Sequence, residues 1–104
     1  MNIQITSRKF RAKNSLKDFI REEVKGLEKY NDQINQVEVI LSFTHLKDSI
    51  KTAEINLTVP KKVITVTSDS EEFEKSVTLS VEKIRKQLRK LKTKRLIRPK
   101  NENK

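Results

Sequence analysis

Residues 50–68, IKTAEINLTVPKKVITVTS, decide the fold. Ala53, Ile55, Leu57 and Val59 alternate there with Thr52, Glu54, Asn56 and Thr58. A period of two belongs to a strand with one apolar and one polar face. Pro60-Lys61-Lys62 interrupts the alternation, and the fixed φ of proline suits the second position of a tight turn. From Val63 to Ser68 the alternation resumes, with Ile64 and Val66 in phase. The segment reads as an antiparallel hairpin that needs covering on one face only.

Working outward, residues 35–44 (NQVEVILSFT) put Val37, Val39, Leu41 and Phe43 on one face, and Glu38, Ser42 and Thr44 on the other with Ile40. HLKDS is a turn region joining this strand to the hairpin. Asn2 to Thr6 is a short strand with Ile3 and Ile5 in phase, and residues 7–14 (SRKFRAKN) form a basic connection with Phe10 as its apolar anchor. Between them Leu16, Phe19, Ile20, Val24, Leu27 and Tyr30 recur at helical spacing. Asn14 or Ser15 offers a capping oxygen, so the first helix is expected from about Ser15 to Tyr30. Gly26 weakens its C-terminal half by about 1 kcal/mol relative to Ala. Phe73, Val77, Val81, Ile84, Leu88 and Leu91 give a second helix, expected to reach about Lys94. Asp69 with Glu72 has capping-box spacing, and acids at the start with bases at the end complement the helix dipole.

The resulting order is β-α-β-β-β-α. A sheet with one wet face carries its helices on the other. The expected fold is an α+β two-layer sandwich: a four-stranded mixed sheet with two helices packed on one face. Residues 1–94 form the expected single domain. Residues 95–104, with Pro99 and KNENK, read as a basic flexible tail.

Composition removes several function classes. There is no Cys, hence no disulfide framework and no thiolate chemistry. The longest apolar run, Val39-Ile40-Leu41, is far too short to span a membrane. MNIQITSRKF lacks the apolar core of a signal peptide, and a cytoplasmic location is expected. The single Gly rules out a glycine-rich phosphate loop. His45 stands alone, so no metal site is expected. Glu71, Glu72 and Glu74 read as a helix N-terminal cluster and not as an acid–base pair. Neither an enzyme, a cofactor nor a small-molecule substrate is expected.

Charge points elsewhere. Residues 83–104 hold eleven bases against Glu102, which accounts for the whole net charge of +10, while residues 1–82 hold thirteen bases and thirteen acids. A block of one sign is a footprint for a polyanion, of which nucleic acid is the commonest. On the second helix Lys83, Lys86 and Lys90 share one flank, and Arg85, Arg89 and Lys92 the other. On the first, Lys13, Lys17, Arg21, Lys25 and Lys29 recur at spacing four and line one stripe. A single lysine on such a face is usually only solubilising; the block as a whole is not explained that way. If the helices lie side by side, their basic flanks border one groove. Aromatics are few, and Phe19, Phe43 and Phe73 fall on apolar faces, so recognition is expected through phosphates and shape. A general double-stranded RNA-binding module remains the alternative.

The stretch SLKDFIREEVKGLEKYNDQINQVEVIL, with its Leu-Glu-x-Tyr-x-Asp-x-Ile-Asn-Gln-Val core at positions 27–37, resembles the bacterial ribosome hibernation promoting factors, a family that includes the ribosome-associated inhibitor proteins. VEKIRKQLRKLK, positions 81–92, is similar to that family's second-helix pattern of a Lys-x-x-Arg/Lys-Gln-Leu-x-Lys-x-Lys type. The resemblance covers roughly residues 1–94 and looks like a short form. Where many members open the second helix with an Asp-Met-Tyr-Ala-Ala-Ile-Asp type segment, this chain has Glu72-Phe73-Glu74-Lys75-Ser76-Val77-Thr78. The resemblance implies binding to the decoding channel of the small ribosomal subunit, with basic helix residues against its rRNA. Messenger and transfer RNA are blocked as a result, under starvation or in stationary phase. It places Lys17, Lys83, Lys86, Lys90 and Lys92 where the family is basic. Arg21, Lys25, Arg85 and Arg89 join the candidate RNA-binding set on the stripe argument alone.

Overall fold

The computed structural model describes the backbone of residues 1–45 and 50–102 and the side chains of residues 1–43 and 50–91. Its elements are β1 (Asn2–Ser7), α1 (Asn14–Lys25), a 3₁₀ turn (Gly26–Lys29), β2 (Gln36–His45), β3 (Ile50–Val59), β4 (Lys62–Ser70) and α2 (Phe73–Glu102). The four strands form one sheet in the order β1-β2-β3-β4. β1 runs parallel to β2, and the other pairs are antiparallel. The α+β order and the mixed sheet are those the alternation predicts.

The register sorts side chains as the period of two requires. Val37 faces Leu57, Val39 faces Ile55, and Leu41 faces Ala53 across β2 and β3; Ile55 and Leu57 meet Val66 and Ile64 across β3 and β4. All lie in one core with Leu16, Ile20, Val24, Leu27, Phe73, Val77, Ile84 and Leu88 from the helical layer. Burying a side chain such as Ile84 or Leu57 contributes about 1.5–3 kcal/mol. Ile40 points to the other face, yet it too is buried, flanked in register by Thr6 and Glu54.

Hydroxyls bond α2 to the sheet. Ser76 Oγ donates to the Lys51 carbonyl at 2.6 Å and Ser80 Oγ to the Ala53 carbonyl at 3.1 Å, both on β3. Beside them Phe10, Phe43 and Phe73 form an aromatic cluster: Phe10 and Phe73 stack at 5.0 Å, and Phe43 meets both edge-on. Phe10 thereby anchors the basic connection after β1.

Several local expectations change. Lys13, without a side-chain cap, occupies the N-cap position of α1, so Asn14 and Ser15 lie inside the first turn. The α-helix ends at Lys25 and tightens into 3₁₀ geometry from Gly26, the residue least committed to a helix. The capping box at Asp69 does not form, because β4 continues to Ser70. Asp69 instead accepts from Thr52 Oγ1 at 2.7 Å on the sheet face, and Ser70 Oγ takes the Glu72 N–H at 3.2 Å. Between β3 and β4, Lys61 holds the left-handed backbone (φ 66°) that a tight turn after Pro60 demands at its third position. α2 runs past Lys94 and through Pro99 to Glu102.

Candidate nucleic-acid interface

Each helix reverses the strand it follows. Since β1 and β4 run in the same sense, α1 and α2 are parallel on one sheet face. Successive helical residues sit about 100° apart, so Lys83 and Arg85 flank the fully buried Ile84 on opposite sides. Lys83 Nζ donates to the Thr67 carbonyl of β4 at 2.7 Å, so that flank faces the edge strand. Tyr30, just beyond the 3₁₀ turn, lies near enough to Arg85 to favour its charged form, so that flank faces α1.

Two parallel helices on one sheet turn equivalent flanks the same way. Arg21 follows the buried Ile20 as Arg85 follows Ile84, so Arg21 points away from α2, and Phe19 points towards it. The burial agrees: Phe19 and Glu23 are half-buried, while Arg21 and Lys25 are exposed. A groove bordered by basic flanks of both helices is therefore not what the fold builds. On the α1 side its wall carries Phe19 and Glu23. The Lys17, Arg21 and Lys25 stripe lies on the far flank, where Lys17 is half-buried and Arg21 meets Asp18 at 3.4 Å.

Among the described residues, the bases turned outward on the second half of α2 are Lys86, Arg89 and Lys90. Lys75 shares that ridge about three turns earlier and is exposed. Sequence reasoning passed over it because it falls in the electrically neutral part of the chain; its angular position relative to Lys86 was the available signal. The side chain of Lys92 lies outside the described residues.

Glu82 sits among these bases. Arg85 Nη2 donates to Glu82 Oε1 at 2.6 Å. That hydrogen bond, with the charges of Arg85, Lys86 and Arg89, holds the Glu82 carboxyl below the usual carboxylate range against the opposing effect of desolvation. The same bond, then the nearby Tyr30, raises the Arg85 guanidinium. Arg85 Nε is buried without a partner.

The opposite surface is different in kind. The outward strand positions include Glu38, Glu54 and Asp69 and no base: Gln4 and Thr6 on β1, Gln36, Glu38, Ile40 and Ser42 on β2, Thr52, Glu54, Asn56 and Thr58 on β3, and Val63, Thr65, Thr67 and Asp69 on β4. Glu54 accepts from Asn56, which accepts from Thr65. A cleft of about 320 Å³ opens between the N-termini of the helices over Phe10, Leu16 and Phe73, rimmed by Arg11 and Lys13 against Glu71, Glu72 and Glu74. Its mixed rim does not suit a phosphate. Among the described residues no group of three or more His, Cys, Asp or Glu is placed to hold a metal.

Comparison with known proteins agrees with this architecture. A solved ribosomal subunit interface protein from Coxiella burnetii superposes with a TM-score of 0.81 at 24% identity, covering 89% of this chain and 99% of that one. The N-terminal domain of Thermus thermophilus Protein Y gives 0.77 at 19% identity over 88% and 99%. At these identities the likeness shows the fold. In sequence the chain is 28% identical over 98 residues to a ribosome hibernation promoting factor of Azotobacter vinelandii, across 94% of this chain and 89% of that protein. The family described as Sigma 54 modulation protein / S30EA ribosomal protein has a sequence model that matches residues 3–96. With nearly its whole length so matched, the chain belongs to the Sigma 54 modulation protein / S30EA ribosomal protein family.

Proposed function

We propose that this protein is a cytoplasmic ribosome hibernation factor. It binds the small ribosomal subunit in the decoding channel, lays the basic ridge of its helical layer against the rRNA, and excludes messenger and transfer RNA. It acts by occupancy, without a chemical step, a cofactor or a membrane. Residues 1–94 supply the binding unit, and residues 95–104 add positive charge.

The observation that carries this reading is the polarity of the molecule. Lys75, Lys86, Arg89 and Lys90 point outward from one layer, while among the described residues the outer sheet face carries carboxylates and no base. A body charged in this way meets a phosphate-lined wall in one orientation only. The ribosome is named by the family and by the relatives' printed descriptions. With about five phosphates neutralised, log K falls with log salt at a slope of about −3.5 to −4.5.

Sucrose-gradient sedimentation of the purified protein with bacterial small subunits tests the reading. Co-sedimentation that resists competition by an unrelated RNA duplex is expected. Equal binding to any duplex would instead make this a general double-stranded RNA-binding module.

A further inference from the structure

Arg85 does not stand on α2 as its neighbours do. A guanidinium grips a phosphate at two points along one of two edges, Nε with Nη2 or Nη1 with Nη2. Both edges include Nη2, which already donates one of its two hydrogens to the Glu82 carboxylate at 2.6 Å. The Nε end of the first edge is buried. Tyr30 lies beside the guanidinium, and the Arg85 side chain is only 29% exposed. Glu82 is 47% exposed beside Lys86 and Arg89, so an arriving phosphate meets a fixed carboxylate at that point of the ridge.

We propose that Glu82 and Arg85 form a charge-neutral clasp beside Tyr30 that withholds Arg85 from phosphate, so that Glu82 restrains the affinity of the basic ridge for RNA. Arg85 thereby leaves the RNA-binding set as a positioning residue that ties α2 to the turn after α1. Contact on the ridge falls to Lys75, Lys86, Arg89 and Lys90. The inference rests on the polyanion-binding part of the proposed function, and it holds whether or not the RNA is ribosomal.

The test is a salt titration of binding to small subunits and, in parallel, to a homopolymer RNA. The proteins are the wild type, Glu82→Gln, the double variant Glu82→Gln/Arg85→Gln, and Glu74→Gln. The last removes a carboxylate from α2 away from the clasp and sets the baseline for charge alone. Without the carboxylate charge the hold on Arg85 drops to a neutral-acceptor bond that a phosphate displaces, so Glu82→Gln gains one phosphate contact and binds several-fold tighter with a salt slope steeper by about 0.7–0.9. The double variant removes the pair together and keeps the wild-type slope, and Glu74→Gln keeps it as well. A double variant whose slope flattens by that amount would show that Arg85 already touches phosphate. Glu82→Gln no steeper than Glu74→Gln would show that no contact was withheld. Either result overturns the proposal. If the double variant fails to fold, Glu82→Gln against Glu74→Gln still decides. If the wild type shows no preference for small subunits, the ribosomal reading fails, while the homopolymer titration still decides the clasp.

Discussion

α1 and α2 carry bases at similar helical spacings but use them differently. On α1 the bases form one stripe on the flank away from α2, diluted by Asp18 and Glu22. On α2 they divide three ways. Among the described bases, Lys83 reaches the outer edge of β4, Arg85 is held by Glu82 beside Tyr30, and Lys75, Lys86, Arg89 and Lys90 point outward. Spacing identifies residues that share a flank; the neighbours decide whether that flank is free to bind.

The largest effect expected from this contrast is on binding. Lys86→Glu with Lys90→Glu abolishes pelleting with small subunits and flattens the salt slope by about 1.4–1.8. Stability stays within about 0.5 kcal/mol of wild type, because both side chains are exposed. Arg21→Glu with Lys25→Glu on α1 produces no more than about half that slope change. Equal losses from the two pairs would erase the distinction between the helices.

Stability separates them further. Ile84 and Ile20 are fully buried at the centres of α2 and α1, and Ala at either costs about 2–5 kcal/mol in urea unfolding. Ser80→Ala removes the hydroxyl that α2 donates to β3 and costs about 0.5–1.5 kcal/mol. The smallest change runs the other way. Gly26 has an ordinary helical φ of −62° and open space where a Cβ would stand, so Gly26→Ala adds about 0.4–1 kcal/mol. A loss on that substitution would mean that the switch to 3₁₀ geometry depends on glycine itself.

The strands were legible because a period of two sorts residues on its own. Ala53 to Val59 and Ile64 with Val66 fall on the buried face as the alternation says. The apolar stripes of both helices were legible for the same reason. The helix starts were not, because Lys13 caps α1 without a side-chain bond and Ser70, rather than Asp69, serves α2. Lysine is an uncommon residue for positive φ, so Lys9 and Lys61 gave no sign of their backbone conformation. In the candidate site, the outward bases Lys86, Arg89 and Lys90 could be read from their distance from the stripe. The roles of Lys83 and Arg85 could not: they depend on Thr67 and Tyr30, far along the chain, and on parallel helices turning like flanks the same way.

Competition with transfer RNA on isolated small subunits tests the central claim most directly. Labelled transfer RNA is bound in the presence of messenger RNA, and this protein is added at increasing concentration while both ligands are followed. The account predicts mutual exclusion, with transfer RNA leaving as the protein binds and Lys86→Glu/Lys90→Glu displacing none. Full simultaneous occupancy by the protein and transfer RNA would contradict it, even for a protein that sediments with the ribosome.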